Sequence, residues 1–231
     1  MNIRNIIPNA LTSLNLAFGC LAVIEIFEGR LEYVIVYTIL SGVADFFDGF
    51  AARILNSTSN IGKDLDSLAD MVSFGIVPAL VMYKMIQIAA PGTYWPYFSV
   101  LVAIMSGLRL AKFNNDERQS DQFFGLPTPA NAFLIISLAY LVADGVWVAL
   151  LSDLWVLIMI TTITSLLLVI DIPMMAFKFK QYGWKGNELK YIFLIISLGL
   201  IVLFQLISLP MIIALYIVLS VAVHIGSKIA H

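Results

Sequence analysis

The chain has 231 residues, 61% of them hydrophobic and 12% charged, roughly half the charged share of a soluble domain. Its formal net charge of -2 leaves no basic excess for gripping phosphates, which excludes nucleic acid as a partner. One cysteine, Cys20, and two histidines, His224 and His231, exclude a disulfide framework, cysteine-ligated zinc and Cys-His or Ser-His catalysis, so any chemistry falls to carboxylates.

A spanning helix takes about 20 apolar residues. Apolar runs between turn residues predict eight of them, over 8–27, 33–54, 65–89, 95–113, 128–149, 154–177, 190–208 and 210–228. The expected fold is therefore all-α, a polytopic membrane helical bundle forming one integral membrane domain over residues 1–231. The break at Ser208-Leu209-Pro210 is weak, so the last two runs also read as a re-entrant hairpin, and fusing the last four into two leaves six spans. Ala17-Phe18-Gly19-Cys20 is a poor lipoprotein cleavage site because Phe18 is bulky, and Cys20 reads as a small buried thiol. Trp95, Trp147, Trp155 and Trp184 fall near span ends, as interface anchors do.

Cationic residues set the orientation, because loops on the cytoplasmic side retain lysine and arginine. With eight spans, Arg4, Arg53, Lys63, Arg109, Lys112, Arg118, Lys178, Lys180, Lys185, Lys190 and Lys228 share one side, eleven of the thirteen Lys and Arg in the chain. Both termini are expected in the cytoplasm and the chain in the inner membrane.

Span 2 carries Asp45 and Asp48, and the start of span 3 carries Asp66 and Asp70. A mid-helix aspartate costs about 2.5–3.5 kcal/mol on insertion scales, so four unpaired ones are hard to reconcile with a purely structural role. Spacings of i, i+3 and i, i+4 put each pair on one helix face. Gly49, Ala52 and Arg53 continue the first stripe and Gly62 begins the second, offering close backbone approach and a forked donor for phosphate oxygens. Oxygen ligands without His or Cys select magnesium, manganese or calcium, and two ions about 3.5–4 Å apart would also serve a phosphoryl displacement. The alternative is a proton or sodium site of an ion-coupled transporter. Such sites lie near the bilayer midplane, whereas these carboxylates lie toward the cytoplasmic ends of helices 2 and 3.

Asp45-x-x-Asp48-Gly49-x-x-Ala52-Arg53, eight residues, then Gly62-x-x-x-Asp66-x-x-x-Asp70 resembles the full signature of the CDP-alcohol phosphotransferases. Residues 5–133 are most similar to its type II phosphatidylserine synthases, through Ile7-Pro8-Asn9, Ser67 to Gly75, Arg109 to Asn114 and Phe124 to Ala130. The resemblance implies a membrane enzyme that moves a phosphatidyl group from CDP-diacylglycerol to the hydroxyl of L-serine and releases CMP. It implies Mg2+ or Mn2+, two ions, on Asp45, Asp48 and Asp66, with Asp70 as general base that also touches metal. Gly49, Ala52, Arg53 and Gly62, with Asp48 and Asp66, would receive the CDP portion. It further implies a homodimer, a catalytic core over 1–150 and additional helices over 151–231. A zwitterionic acceptor needs a cation and neutral polar groups, which Arg109 and Lys112, with Asn114, Gln122 and Thr128, supply. Arg109, Lys112 and Arg118 also read as plain orientation charges. Asn9, Thr12 and Asn15 read equally as cytidine contacts or as capping and interhelical hydrogen bonds. Asp171, within span 6, has no evident partner. Other readings are a different acceptor, such as glycerol phosphate or inositol phosphate, or an intramembrane prenyltransferase.

Overall fold

The computed structural model describes residues 3–56, 60–115, 123–175, 183–184 and 187–229. Helices α1 (Ile3–Glu28) and α2 (Leu31–Ile54) form a hairpin that turns at Gly29, whose φ of 75° suits a residue without Cβ. The third run is α3 (Asn60–Asp70), a π-helical segment (Met71–Ile76) and α4 (Val77–Ala89). A 3-10 turn (Trp95–Ser99) leads into α5 (Val100–Asn115). Then follow α6 (Thr128–Ala143), the short α7 (Val148–Leu151), α8 (Leu154–Val169), α9 (Glu188–Phe204) and α10 (Leu209–Ile229).

Among the described residues, five helical stretches are long and apolar enough to cross a membrane: Ile6–Glu28, Leu31–Ile54, Ile61–Ala89, Trp95–Asn115 and Glu188–Ile225. Thr128–Ala143 and Leu154–Val169 are shorter apolar helices. The chain is a polytopic all-α membrane bundle. The stretch through Ile61–Ala89 is the most buried of the five along its apolar part, so it is the central helix. Phe74, Val77, Met82 and Ile86 on it pack with Ala22 and Ile26 of α1 and with Ile135, Ile136 and Leu141 of α6. The outward faces carry exposed apolar residues such as Ile24, Phe46 and Ile104, as a lipid solvent permits.

Each of the eight predicted segments contains a helix, with corrections at the ends. Span 5 stops at Ala143 rather than 149, because Gly145 (φ 80°) and Trp147 (φ 53°) make a left-handed turn before α7. Span 6 stops at Val169 rather than 177. Pro173 lacks an N–H and disfavours helix in the residue before it, so 170–175 run extended. There a two-residue ladder forms, β1 (Phe123–Phe124) antiparallel to β2 (Pro173–Met174), a small strand pair in an otherwise helical fold. Gly125 (φ 75°) and Leu126 donate backbone hydrogen bonds to the carbonyls of Ile172 (3.0 Å) and Leu167 (2.7 Å), holding the α6 entry against the end of α8. Between α9 and α10, Gln205 (φ 50°, ψ -133°) breaks the long apolar stretch.

Two features read differently from the sequence expectation. Cys20 is exposed on the outer face of α1 rather than buried. Asp171 lies beyond α8 and has a partner: Lys112 Nζ donates to its Oδ1 at 2.6 Å. At the opposite ends of the same two helices, the rings of Trp95 and Trp155 meet edge to face with centroids 5.4 Å apart. Helices α5 and α8 therefore run parallel, joined at both ends. Trp147, Trp155 and Trp184 are exposed.

Candidate active site

Asp45 and Asp48 project from α2 and Asp66 from α3, and one carboxylate oxygen of each lies within 4.8 Å of the others. The i, i+3 spacing on α2 and the adjacency of α3 bring the three together as the periodicity requires. Asp70, one turn after Asp66, is in electrostatic contact with all three. Asp48 is 6% exposed and the other three are half-buried. Among the described residues no lysine or arginine forms an ion pair with any of these carboxylates. Like charges 4 Å apart at a partly buried site repel by about 4 kcal/mol. The donor set is all oxygen, closely gathered and short of positive charge, which fits a hard divalent cation such as Mg2+ or Mn2+.

Helix α1 orders this cluster through interhelical hydrogen bonds from Thr12 and Asn15. Thr12 Oγ1 donates to Asp48 Oδ2 at 2.7 Å, and its oxygen also lies 3.0 Å from the Pro8 carbonyl. Asn15 Nδ2 donates to Asp70 Oδ1 at 3.1 Å. The Asn15 carbonyl accepts from Ser41 Oγ (3.2 Å) on α2 and Ser73 Oγ (3.0 Å) on the π segment. Gly19 permits this close approach, since a Cβ there would stand 3.1 Å from the Ser73 Cα and 2.3 Å from its Oγ. Thr12 and Asn15 are buried.

Along α2, Arg53 Nε donates to the Gly49 carbonyl at 2.9 Å, and the guanidinium is exposed at the mouth of the site. A Cβ on Gly49 would find only the end of that side chain, at 4.0 Å, so the helix backbone is open to approach. Ala52 and Gly62 are half-buried on the same two helices. Beside Asp45, a cavity of about 420 Å³ opens between α2 and α6, walled by Gly42, Phe46, Pro129 and Phe133.

The predicted acceptor residues divide. Arg109 is 6% exposed; its Nη1 donates to Thr128 Oγ1 at 3.3 Å and its Cζ lies 5.3 Å from the Phe113 ring centroid. Its charge interacts with that of Asp70, and its bond to Thr128 joins α5 to the start of α6. Lys112 is engaged by Asp171. Asn114 Nδ2 donates to Ser67 Oγ at 2.7 Å and its carbonyl accepts from Lys63 Nζ at 3.0 Å, tying the end of α5 to α3. Gln122 and Arg118, like Lys178, Lys180 and Lys185, lie outside the described residues. Sequence reasoning missed Ser106 and Asn131, both fully buried with unpartnered polar atoms. Their signal was spacing: Ser106 precedes Arg109 by three residues and Asn131 follows Thr128 by three, each pair sharing a helix face.

Comparison with known proteins agrees with this arrangement. Residues 5–170 match the family described as CDP-alcohol phosphatidyltransferase. A CDP-diacylglycerol–serine O-phosphatidyltransferase of Mycobacterium bovis is 35% identical over 182 residues, covering 73% of this chain and 60% of that protein. Proteins of the same name from Bacillus subtilis and Methanocaldococcus jannaschii are 32% and 31% identical, covering 59% and 70% of this chain and 76% and 75% of their own lengths. The match thus spans less than two thirds of the mycobacterial relative. Four acidic residues gathered on two adjacent helices, and a family match over most of the sequence, lead to one conclusion: the chain belongs to the CDP-alcohol phosphatidyltransferase family.

Proposed function

We propose that this chain transfers the phosphatidyl group of CDP-diacylglycerol to the hydroxyl of L-serine, yielding phosphatidylserine and CMP. The observation that carries the proposal is the gathering of Asp45, Asp48 and Asp66 within 4.8 Å, with Asp70 beside them. The names of the relatives supply the donor and acceptor.

Asp45, Asp48 and Asp66, with Asp70 at the margin, would hold Mg2+ or Mn2+, two ions in the full set. Bound there, the metal supplies charge neutralisation to the pyrophosphate and to the leaving phosphate. The apolar cavity beside Asp45 lets the acyl chains of the donor stay in lipid while its phosphates reach the carboxylates. Gly49, Ala52, Arg53 and Gly62 receive the CDP portion, the small residues admitting it closely and Arg53 donating to phosphate oxygens. Asp70 takes the proton of the acceptor hydroxyl. The acceptor oxygen bonds to the lipid-side phosphorus as the bond from that phosphorus to the CMP oxygen breaks. Asn15 aims the Asp70 carboxylate through its 3.1 Å hydrogen bond. Arg109 and Thr128 line the acceptor pocket, with Lys112 and Asn114 at its cytoplasmic rim. Burial among helices keeps water from the donor.

The same proposal has eight crossings with both termini in the cytoplasm, the site at the inner leaflet, residues 1–150 carrying the catalytic set and a homodimeric assembly. The decisive experiment reconstitutes the purified chain in vesicles with labelled CDP-diacylglycerol. Serine, glycerol 3-phosphate and inositol phosphate are offered separately. Labelled phosphatidylserine with equimolar CMP is expected from serine alone; a labelled lipid from another alcohol, with none from serine, overturns the acceptor assignment.

A further inference from the structure

Four residues near the site carry polar atoms without partners. Asn15 Oδ1 on α1, and on α5 and α6 Arg109 Nε, the Ser106 hydroxyl and both ends of the Asn131 side-chain amide, are buried and unpaired. Arg109 is 6% exposed, and Ser106 and Asn131 are at 0%. A buried amide unpaired at both ends destabilises a protein unless something else completes its hydrogen bonds.

The helices bring these groups toward one depth. Pro129 and Phe133 share a cavity wall with Asp45, and the Phe133 ring lies 3.2 Å from where a Cβ on Gly42 would sit. Asn131, midway between them along α6, is at the same height on the helix but on its other side, turned away from that cavity wall. Thr128, three residues before it on the same helix face, accepts from Arg109. On α5, Ser106 stands one turn from Arg109 and packs on the π segment that begins just after Asp70, its Cβ 3.3 Å from where a Cβ on Gly75 would sit. Where α5 meets the start of α6 there is thus an unpaired cationic donor that interacts with the candidate base and, one helical turn along α6 from its partner Thr128, a neutral group that can both accept and donate.

We propose that Asn131 is a specificity residue of the acceptor pocket, its Oδ1 accepting from the ammonium of an amino-acid acceptor while Arg109 Nε donates to the carboxylate. The inference rests on the function proposed above. An ammonium has no acceptor of its own and needs one from the protein, and a carboxylate has no donor. Arg109 and Asn131 offer one of each, and together they distinguish a zwitterion from a simple alcohol. The Ser106 hydroxyl, able to do both, completes the lining.

The test compares three acceptors in vesicles holding the full chain, Mg2+ and CDP-diacylglycerol: L-serine, ethanolamine, which lacks the carboxylate, and 3-hydroxypropionate, which lacks the ammonium. Asn131→Ala should lower kcat/KM for serine and ethanolamine by about 10- to 100-fold, the worth of a hydrogen bond to a charged group, and leave 3-hydroxypropionate within about twofold. Asn131→Asp, which retains the acceptor oxygen, should keep serine as substrate and reject 3-hydroxypropionate further. An equal loss on all three acceptors, or none, overturns the assignment. If Asn131→Ala is not recovered as a protein that CDP-diacylglycerol stabilises, Asn131→Leu, of similar size and apolar, goes through the same panel with the same expected split. Phosphatidylserine synthesis indifferent to residue 131 overturns this inference alone; absence of phosphatidylserine with the unaltered chain overturns the proposed function and this inference with it.

Discussion

Thr12→Val removes one hydrogen bond from the carboxylate cluster while preserving side-chain shape. Thr12 Oγ1 donates to Asp48 Oδ2 at 2.7 Å, and both residues are buried. A hydrogen bond to a charged group is worth about 1.5–3 kcal/mol. The Pro8 carbonyl, 3.0 Å from the same hydroxyl, lies within α1 and is not orphaned by the change, so the loss falls on Asp48 rather than on the helix. If Asp48 holds a divalent ion, that energy corresponds to roughly 10- to 100-fold weaker metal binding, the range typical of groups that orient metal ligands. The assay is a Mn2+ titration of CMP release in vesicles at saturating serine and CDP-diacylglycerol. The half-saturating Mn2+ concentration should rise by about that factor while the rate at saturating metal stays within about threefold. Thr12→Ser should restore the wild-type titration. An unchanged half-saturation, or a lost rate that excess Mn2+ does not recover, refutes the role given to Thr12.

Asp70→Asn should lower kcat by about 100- to 10,000-fold, the usual contribution of a general base, while CDP-diacylglycerol still raises the melting temperature; a wild-type rate removes Asp70 from that role. Excess chelator should abolish product formation, and added Mg2+ or Mn2+ should restore it. Gly42→Trp should fill the cavity against Phe133 and raise KM for long-chain donors more than for short-chain ones; equal effects on both would show that acyl chains do not use it. Gly125→Ala combines a φ of 75° with a Cβ 2.5 Å from the Leu168 carbonyl, so it should destabilise by about 1–3 kcal/mol, read as a lower melting temperature. An unchanged melting temperature would show that the α6 entry relaxes freely.

The helices were legible because apolar runs near spanning length leave few alternatives, and the cluster was legible because carboxylates at i, i+3 and i, i+4 share a helix face. Asp45, Asp48 and Asp66 meet on that ground alone. The helix ends were less legible: apart from Asp171 and Pro173 the sequence stays apolar past Val169, so hydropathy continues where the helix stops. The pairing of Lys112 with Asp171 escaped because it joins positions 59 residues apart and depends on α5 and α8 running parallel. Thr12 and Asn15 were visible as a strip, but their direction depends on how α1 packs on α2 and the π segment. Asn131 escaped because a single amide in an apolar run carries no motif.

The six π-helical residues after Asp70 give the central helix a change of phase. Each residue there turns less than in an α-helix, and over one wide loop the deficit amounts to about one residue of rotation. The side of α3 that bears Asp66 and Asp70 and the side of α4 that bears Met82, Met85 and Ile86 are thus set independently, each toward its own neighbours. Excising a single residue between Met71 and Ile76 would tighten the loop into ordinary helix and swing one side against the other. The acidic pair would then lose its heading even with every atom of it retained, so the length of this short stretch is as much a part of the chemistry as the carboxylates themselves.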